Sequence, residues 1–156
     1  MQEAAVSMRH ISKSFGKKVV ANKNVDLDIY HGEILSLLGE NGSGKTTLMN
    51  MLSGVYFPDE GEILVNGEPV SITCPKDAFD LGIGMVHQHF KLIDVFTALE
   101  NILLGLPKEN DMKSGRAAVE EICRKYGFEL DLDKKIYDMS VSEKETLEIV
   151  KTLYRG

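Results

Sequence analysis

Val25, Leu27 and Ile29 alternate with polar residues over positions 24–30, the period-two pattern of a strand with one buried and one wet face. Apolar stretches at 6–11 and 19–20 predict two further short strands. After the turn at His31 and Gly32, residues 33–38 read Glu-Ile-Leu-Ser-Leu-Leu, the more uniformly apolar run of a strand buried on both faces. The period then changes. Leu48, Met49 and Leu52 recur at helical spacing over 45–53, and Gly54 stands where a helix-ending glycine would. Turn residues at 58–61 and at Asn66-Gly67 flank Ile63, Leu64 and Val65, which predicts a hairpin over 62–70. A helix over 75–81 begins with Pro75, which suits a first helical position, and residues 83–86 read as a short strand. Beyond residue 97 the signals are helical. Thr97 with Glu100, and Ser142 with Glu145, have capping-box spacing, and Ser114 precedes a helix predicted to run to Tyr126. Between these helices, residues 107–115 read as a charged surface loop.

Composition narrows the class of molecule. The 156 residues include 18 Lys and Arg against 24 Asp and Glu, a net charge of −6, and 43% are hydrophobic. These proportions are those of one ordinary globular domain. Cys74 and Cys123 stand apart with no second cysteine or histidine at metal spacing, which fits a reducing compartment and predicts no disulfide or zinc site. An acidic chain without a Lys/Arg-rich tract predicts no nucleic-acid partner, because that binding draws on clustered positive charge. No apolar run approaches the ~20 residues of a bilayer span, so the chain is expected to be soluble and cytoplasmic.

Any anion must therefore be held locally, and one segment is built for it. Gly39, Glu40, Asn41, Gly42, Ser43, Gly44, Lys45 and Thr46 match G-x-x-x-x-G-K-[ST] between a predicted strand and a predicted helix, the context that a phosphate-binding loop requires. Its glycines let successive N–H groups turn inward, and the helix N-terminus adds its positive end. Lys45 is placed to reach the β- and γ-phosphates of a nucleoside triphosphate, Thr46 to offer a hydroxyl to Mg²⁺, and Thr47 to assist the α-phosphate. A GTPase is disfavoured: no Asp-x-x-Gly occurs, and Asn22-Lys23-Asn24-Val25-Asp26 is one residue too long for a guanine-reading element and precedes the loop.

The order of Phe15, the loop from Gly39 through Thr47, Gln88, and a serine-containing cap before an amphipathic helix resembles the ATP-binding subunit of an ABC transporter. His31-Gly32-Glu33, the string from Gly82 through Phe90 and the string from Lys151 through Gly156 look closest to simple-sugar and nucleoside importers, whose ATPase carries two tandem cassettes. The resemblance implies an α/β P-loop NTPase cassette. It would have an antiparallel β subdomain and P-loop core over residues 1–90 and a mostly helical subdomain over 91–156.

The resemblance also assigns roles. Phe15 stacks on adenine, Gln88 touches Mg²⁺ and the attacking water, and Ser140 reaches the γ-phosphate held by a second cassette in a head-to-tail dimer. The implied cofactors are ATP and Mg²⁺. The implied partners are transmembrane permease subunits, which place the protein at the cytoplasmic face of the membrane. Around Ser140 the sequence departs from the family pattern, with Ser142 in place of a glycine, Thr146 in place of an arginine, and Glu143 and Glu145 setting negative charge near the helix start. The family's apolar strand ending in Asp-Glu, which carries the general base, and its later histidine are not found. This leads to the expectation of an N-terminal piece with an incomplete central sheet. The function expected is coupling of ATP hydrolysis to import of a small polar solute. Its alternative is a soluble ABC ATPase acting on ribosomes or DNA.

Overall fold

The computed structural model describes residues 3–16, 19–87, 91–106 and 111–155. They form two compact units, one ending at Ile83 and the other beginning at Gly84.

The first unit is built on an antiparallel sheet of order β2-β1-β3-β4, with β1 Ala4–Phe15, β2 Val19–Tyr30, β3 Glu60–Val65 and β4 Glu68–Val70. The three short opening strands expected from the sequence are thus two twelve-residue strands. Their length is concealed by irregular register. Met8 pairs with Leu27 and Ile11 with Val25, which puts one extra residue on β1. Lys13 then pairs with Asn22, which puts one extra residue on β2. His10 and Asn24 lie in these intervals at φ 53° and 49°. Each extra residue turns the following side chains to the other face of the sheet. Met8 and Ile11, three positions apart, are consequently both fully buried.

Helix α1, Lys45–Leu52, lays Leu48, Met51 and Leu52 into a core with Met8, Ile11, Ile63, Ile72 and Ala78. The hairpin expected over 62–70 is β3 and β4, and the helix beginning at Pro75 is α2, Pro75–Asp80. Residues 33–38 and 83–86 do not form the strands expected of them. Apolar content lets a segment be buried, but strand structure also requires backbone partners, and no described strand pairs with either segment. Ile34 and Leu38 are 97% and 93% exposed.

The second unit packs three helices, α3 Ala98–Leu103, α4 Met112–Tyr126 and α5 Val141–Arg155, with a 3₁₀ turn at Ile136–Asp138. Its core is Ala98, Leu99, Ile102, Val119, Leu132, Ile136, Met139, Leu147 and Val150. The Thr97 box forms as expected: the hydroxyl accepts the Glu100 N–H at 3.2 Å, and Glu100 accepts the Thr97 N–H at 2.6 Å. Two caps differ from expectation. Helix α4 is capped by Asp111, which accepts N–H bonds from Lys113 and Ser114, and Ser114 lies inside the helix. The box at α5 is formed by Ser140 and Glu143, one turn-half earlier than Ser142 and Glu145.

Candidate functional site

The phosphate-loop sequence enters α1 from an irregular segment. Gly42 and Gly44 both hold φ of 88°, in the left-handed region that glycine enters without a steric penalty. Gly44 is also the N-cap of α1, and no side chain caps the helix. A β-carbon at Gly44 would collide with the Ala21 carbonyl oxygen on β2. Here the loop and the sheet are in direct contact, and only glycine fits.

The Lys45 ammonium folds back over the loop. It donates to the carbonyl oxygens of Gly39 and Glu40, each at 2.7 Å, and to the Ser43 hydroxyl at 3.1 Å. The Ser43 N–H donates to Glu40 O at 3.2 Å and closes the turn. A cation, an uncapped helix N-terminus and a first helical turn without acidic residues thus converge on one small surface. That is an anion-binding arrangement. Gly39, Asn41, Gly42, Ser43 and Thr46 are exposed there, while Thr47 is half-buried.

Phe15 ends β1, opposite Val19. Its ring is 39% exposed and meets Tyr56 edge-on, with centroids 5.1 Å apart. Beneath it, the Lys13 ammonium lies 5.8 Å from the Phe15 centroid and 4.9 Å from that of Phe57, and pairs with Asp59 at 2.7 Å. Asp59 also accepts the Ser14 N–H at 2.8 Å. The Lys13 bond, followed by that N–H, holds the Asp59 carboxyl below its usual range. This cluster fixes the strand end that carries Phe15.

Sequence reasoning missed Asn22. Its side chain is 6% exposed and donates from Nδ2 to Gly44 O at 3.3 Å. The alternation set by Val25, Leu27 and Ile29 would turn position 22 outward, and only the extra residue on β2 turns it in.

Gln88 lies outside the described residues. Ser140 belongs to the second unit, where it is exposed and joined to Glu143 in both directions: its N–H donates to Glu143 Oε2 at 2.7 Å, and its hydroxyl accepts the Glu143 N–H at 3.3 Å. Glu143 also pairs with Lys134 at 2.7 Å. The lysine bond and the two Ser140 bonds lower its pKa to about 2. The charge of Glu143 is therefore balanced locally, and of the two acids only Glu145 lies exposed near the helix start. Among the described residues no three His, Cys, Asp or Glu side chains gather as a metal site. The cysteines are free and half-buried.

The ABC transporter family matches residues 22–156. The chain belongs to the ABC transporter family. Over 99% of its length it is 50% identical to a guanosine import ATP-binding protein, NupO, of Bacillus subtilis, and 47% identical to a nucleoside import ATP-binding protein, NupA, of Lactococcus lactis. Over 95% it is 42% identical to the D-allose import ATP-binding protein AlsA of Escherichia coli. The chain spans about 31% of the length of the first two of these relatives and 30% of the third. Its fold is that of cbiO1 from Clostridium perfringens, part of an ABC transporter complex, with a TM-score of 0.81 at 23% identity over 99% of this chain and 62% of that one. A nucleotide-free ATP-binding cassette from an ABC transporter matches at a TM-score of 0.80. Among the described residues of this ABC chain, no helix is long and apolar enough to cross a membrane.

Proposed function

We propose that the chain is the ATP-binding part of an ABC importer that couples ATP hydrolysis to uptake of a small polar solute, a nucleoside or a sugar. The observation that carries the nucleotide reading is the convergence of Lys45, the left-handed Gly42 and Gly44, and the uncapped start of α1. Lys45 and the loop N–H groups neutralise charge on the terminal phosphates as it develops. Leaving the Gly39 and Glu40 carbonyls for a phosphate exchanges neutral acceptors for a charged one, which favours the ligand.

Mg²⁺ fits the residues present. It is normally held by few protein oxygens together with substrate phosphates, and the exposed Thr46 hydroxyl in the first turn of α1 offers one. Thr46 would hold the ion, which would supply further positive charge to the terminal phosphates. Phe15 offers an aromatic face to adenine. Gln88 is assigned to contact with Mg²⁺ and the attacking water, and Ser140 to nucleotide held by a second cassette in a head-to-tail dimer. The closing of two cassettes drives permease subunits at the cytoplasmic face of the membrane.

Identities of 50% and 47% to ATP-binding proteins of guanosine and nucleoside import support the solute class. The test is uptake of labelled guanosine and of labelled ribose by cells carrying Lys45→Ala in the genomic copy. Loss of accumulation of one of them is the expected result. Normal uptake of both, with altered ribosome or DNA phenotypes, would favour the soluble alternative.

A further inference from the structure

Among the described residues two asparagines are buried, Asn22 and Asn101, and they are treated differently. Asn101, 1% exposed, uses its whole amide: Oδ1 accepts the Ile93 N–H at 2.8 Å, and Nδ2 donates to the carbonyls of Ile93 at 3.1 Å and Thr97 at 3.0 Å. Asn22 donates to Gly44 O at 3.3 Å, and its Oδ1 is buried with no partner among the described residues. A buried acceptor without a donor destabilises a fold. An aliphatic side chain of similar size would serve the core better.

What Asn22 holds gives its presence a reason. Gly44 O also accepts the first helical bond of α1, from the Leu48 N–H at 2.9 Å. The peptide plane that carries this oxygen carries the Lys45 N–H on its opposite side, because the unit is planar and trans. Fixing the carbonyl toward the sheet therefore aims the Lys45 N–H away from it, toward the loop. The Ala21 carbonyl, next to Asn22, occupies the space that a β-carbon at Gly44 would need.

We infer that Asn22 is a positioning residue of the phosphate loop, acting through the Gly44 carbonyl on the Lys45 N–H; this rests on the nucleotide reading above. The side chain touches no nucleotide. It trades fold stability for a fixed donor.

The experiment is calorimetric titration with Mg-ATP, together with thermal unfolding of the nucleotide-free chain, for the wild type, Asn22→Leu and Asn22→Asp. Asn22→Leu is expected to unfold at the same temperature or higher and to bind Mg-ATP about tenfold more weakly. Asn22→Asp keeps the shape, loses the N–H donor and is expected to weaken binding at least as much. Unchanged affinity in either variant overturns the inference. So does a leucine variant whose melting temperature falls together with its affinity, since Asn22 would then serve the core alone. A wild-type chain that does not bind Mg-ATP overturns the nucleotide reading itself, a separate result.

Discussion

The carboxylate of Glu143 lies 2.7 Å from the Lys134 ammonium while it also accepts the Ser140 N–H at 2.7 Å. The acid that sequence alone sets against an incoming phosphate is thus occupied in holding the start of α5. With a pKa of about 2 against its ordinary 4.5, it stabilises the fold fully above pH 4.5, and that contribution fades as pH falls toward 2. Glu143→Gln is therefore expected to melt below the wild type at pH 7, with the difference closing between pH 4.5 and pH 2. Thermal unfolding across that range checks this, and a pH-independent difference would contradict it.

Phe15 is held by Tyr56 at its edge and by the Lys13–Asp59 pair beneath. Base–aromatic stacking is worth about 1–3 kcal/mol. Phe15→Ala is expected to weaken Mg-ATP binding about tenfold and leave inorganic pyrophosphate binding unchanged, whereas Phe15→Tyr should bind as the wild type does. Equal losses for both ligands would show that the ring supports the loop and does not stack.

Gly44 combines a φ of 88° with the Ala21 carbonyl directly against it. Gly44→Ala must move the loop away from β2 and is expected to abolish Mg-ATP binding. Gly82→Ala is the control: it replaces a glycine that also has positive φ but has open space around it, and it should retain binding. The two titrations side by side decide the matter.

In the helical unit, Ile136 is fully buried against α3 and α5 residues of the core. Truncation of such a side chain costs about 2–5 kcal/mol. Ile136→Ala should lower the melting temperature by roughly 10 °C. A shift under about 2 °C would mean that the site collapses around the missing atoms.

The candidate phosphate loop was legible because the motif is local: eight consecutive residues carry it, and neighbouring periodicity places it before a helix. Capping signals were legible as a class but not in register. Ser140 and Ser142 both precede an acid by three positions, and the earlier box is the one whose acid, Glu143, also pairs with Lys134, a contact that spacing does not weigh. Residues 33–38 show the opposite limit. Their apolar run states what the segment can bury, while pairing depends on strands distant in sequence, and none described here supplies it. Asn22 was hidden because the extra residue in β2 between it and Val25 resets the alternation on which inward and outward were judged.

The most direct test of the account is calorimetric titration of the wild-type chain and Lys45→Ala with Mg-ATP. Lys45 supplies the side-chain cation of the loop, so the wild type is expected to bind and the alanine variant to show no measurable heat of binding. Equal affinity in the two proteins would contradict the assignment of the phosphate loop, and the transport function proposed from it would fall as well.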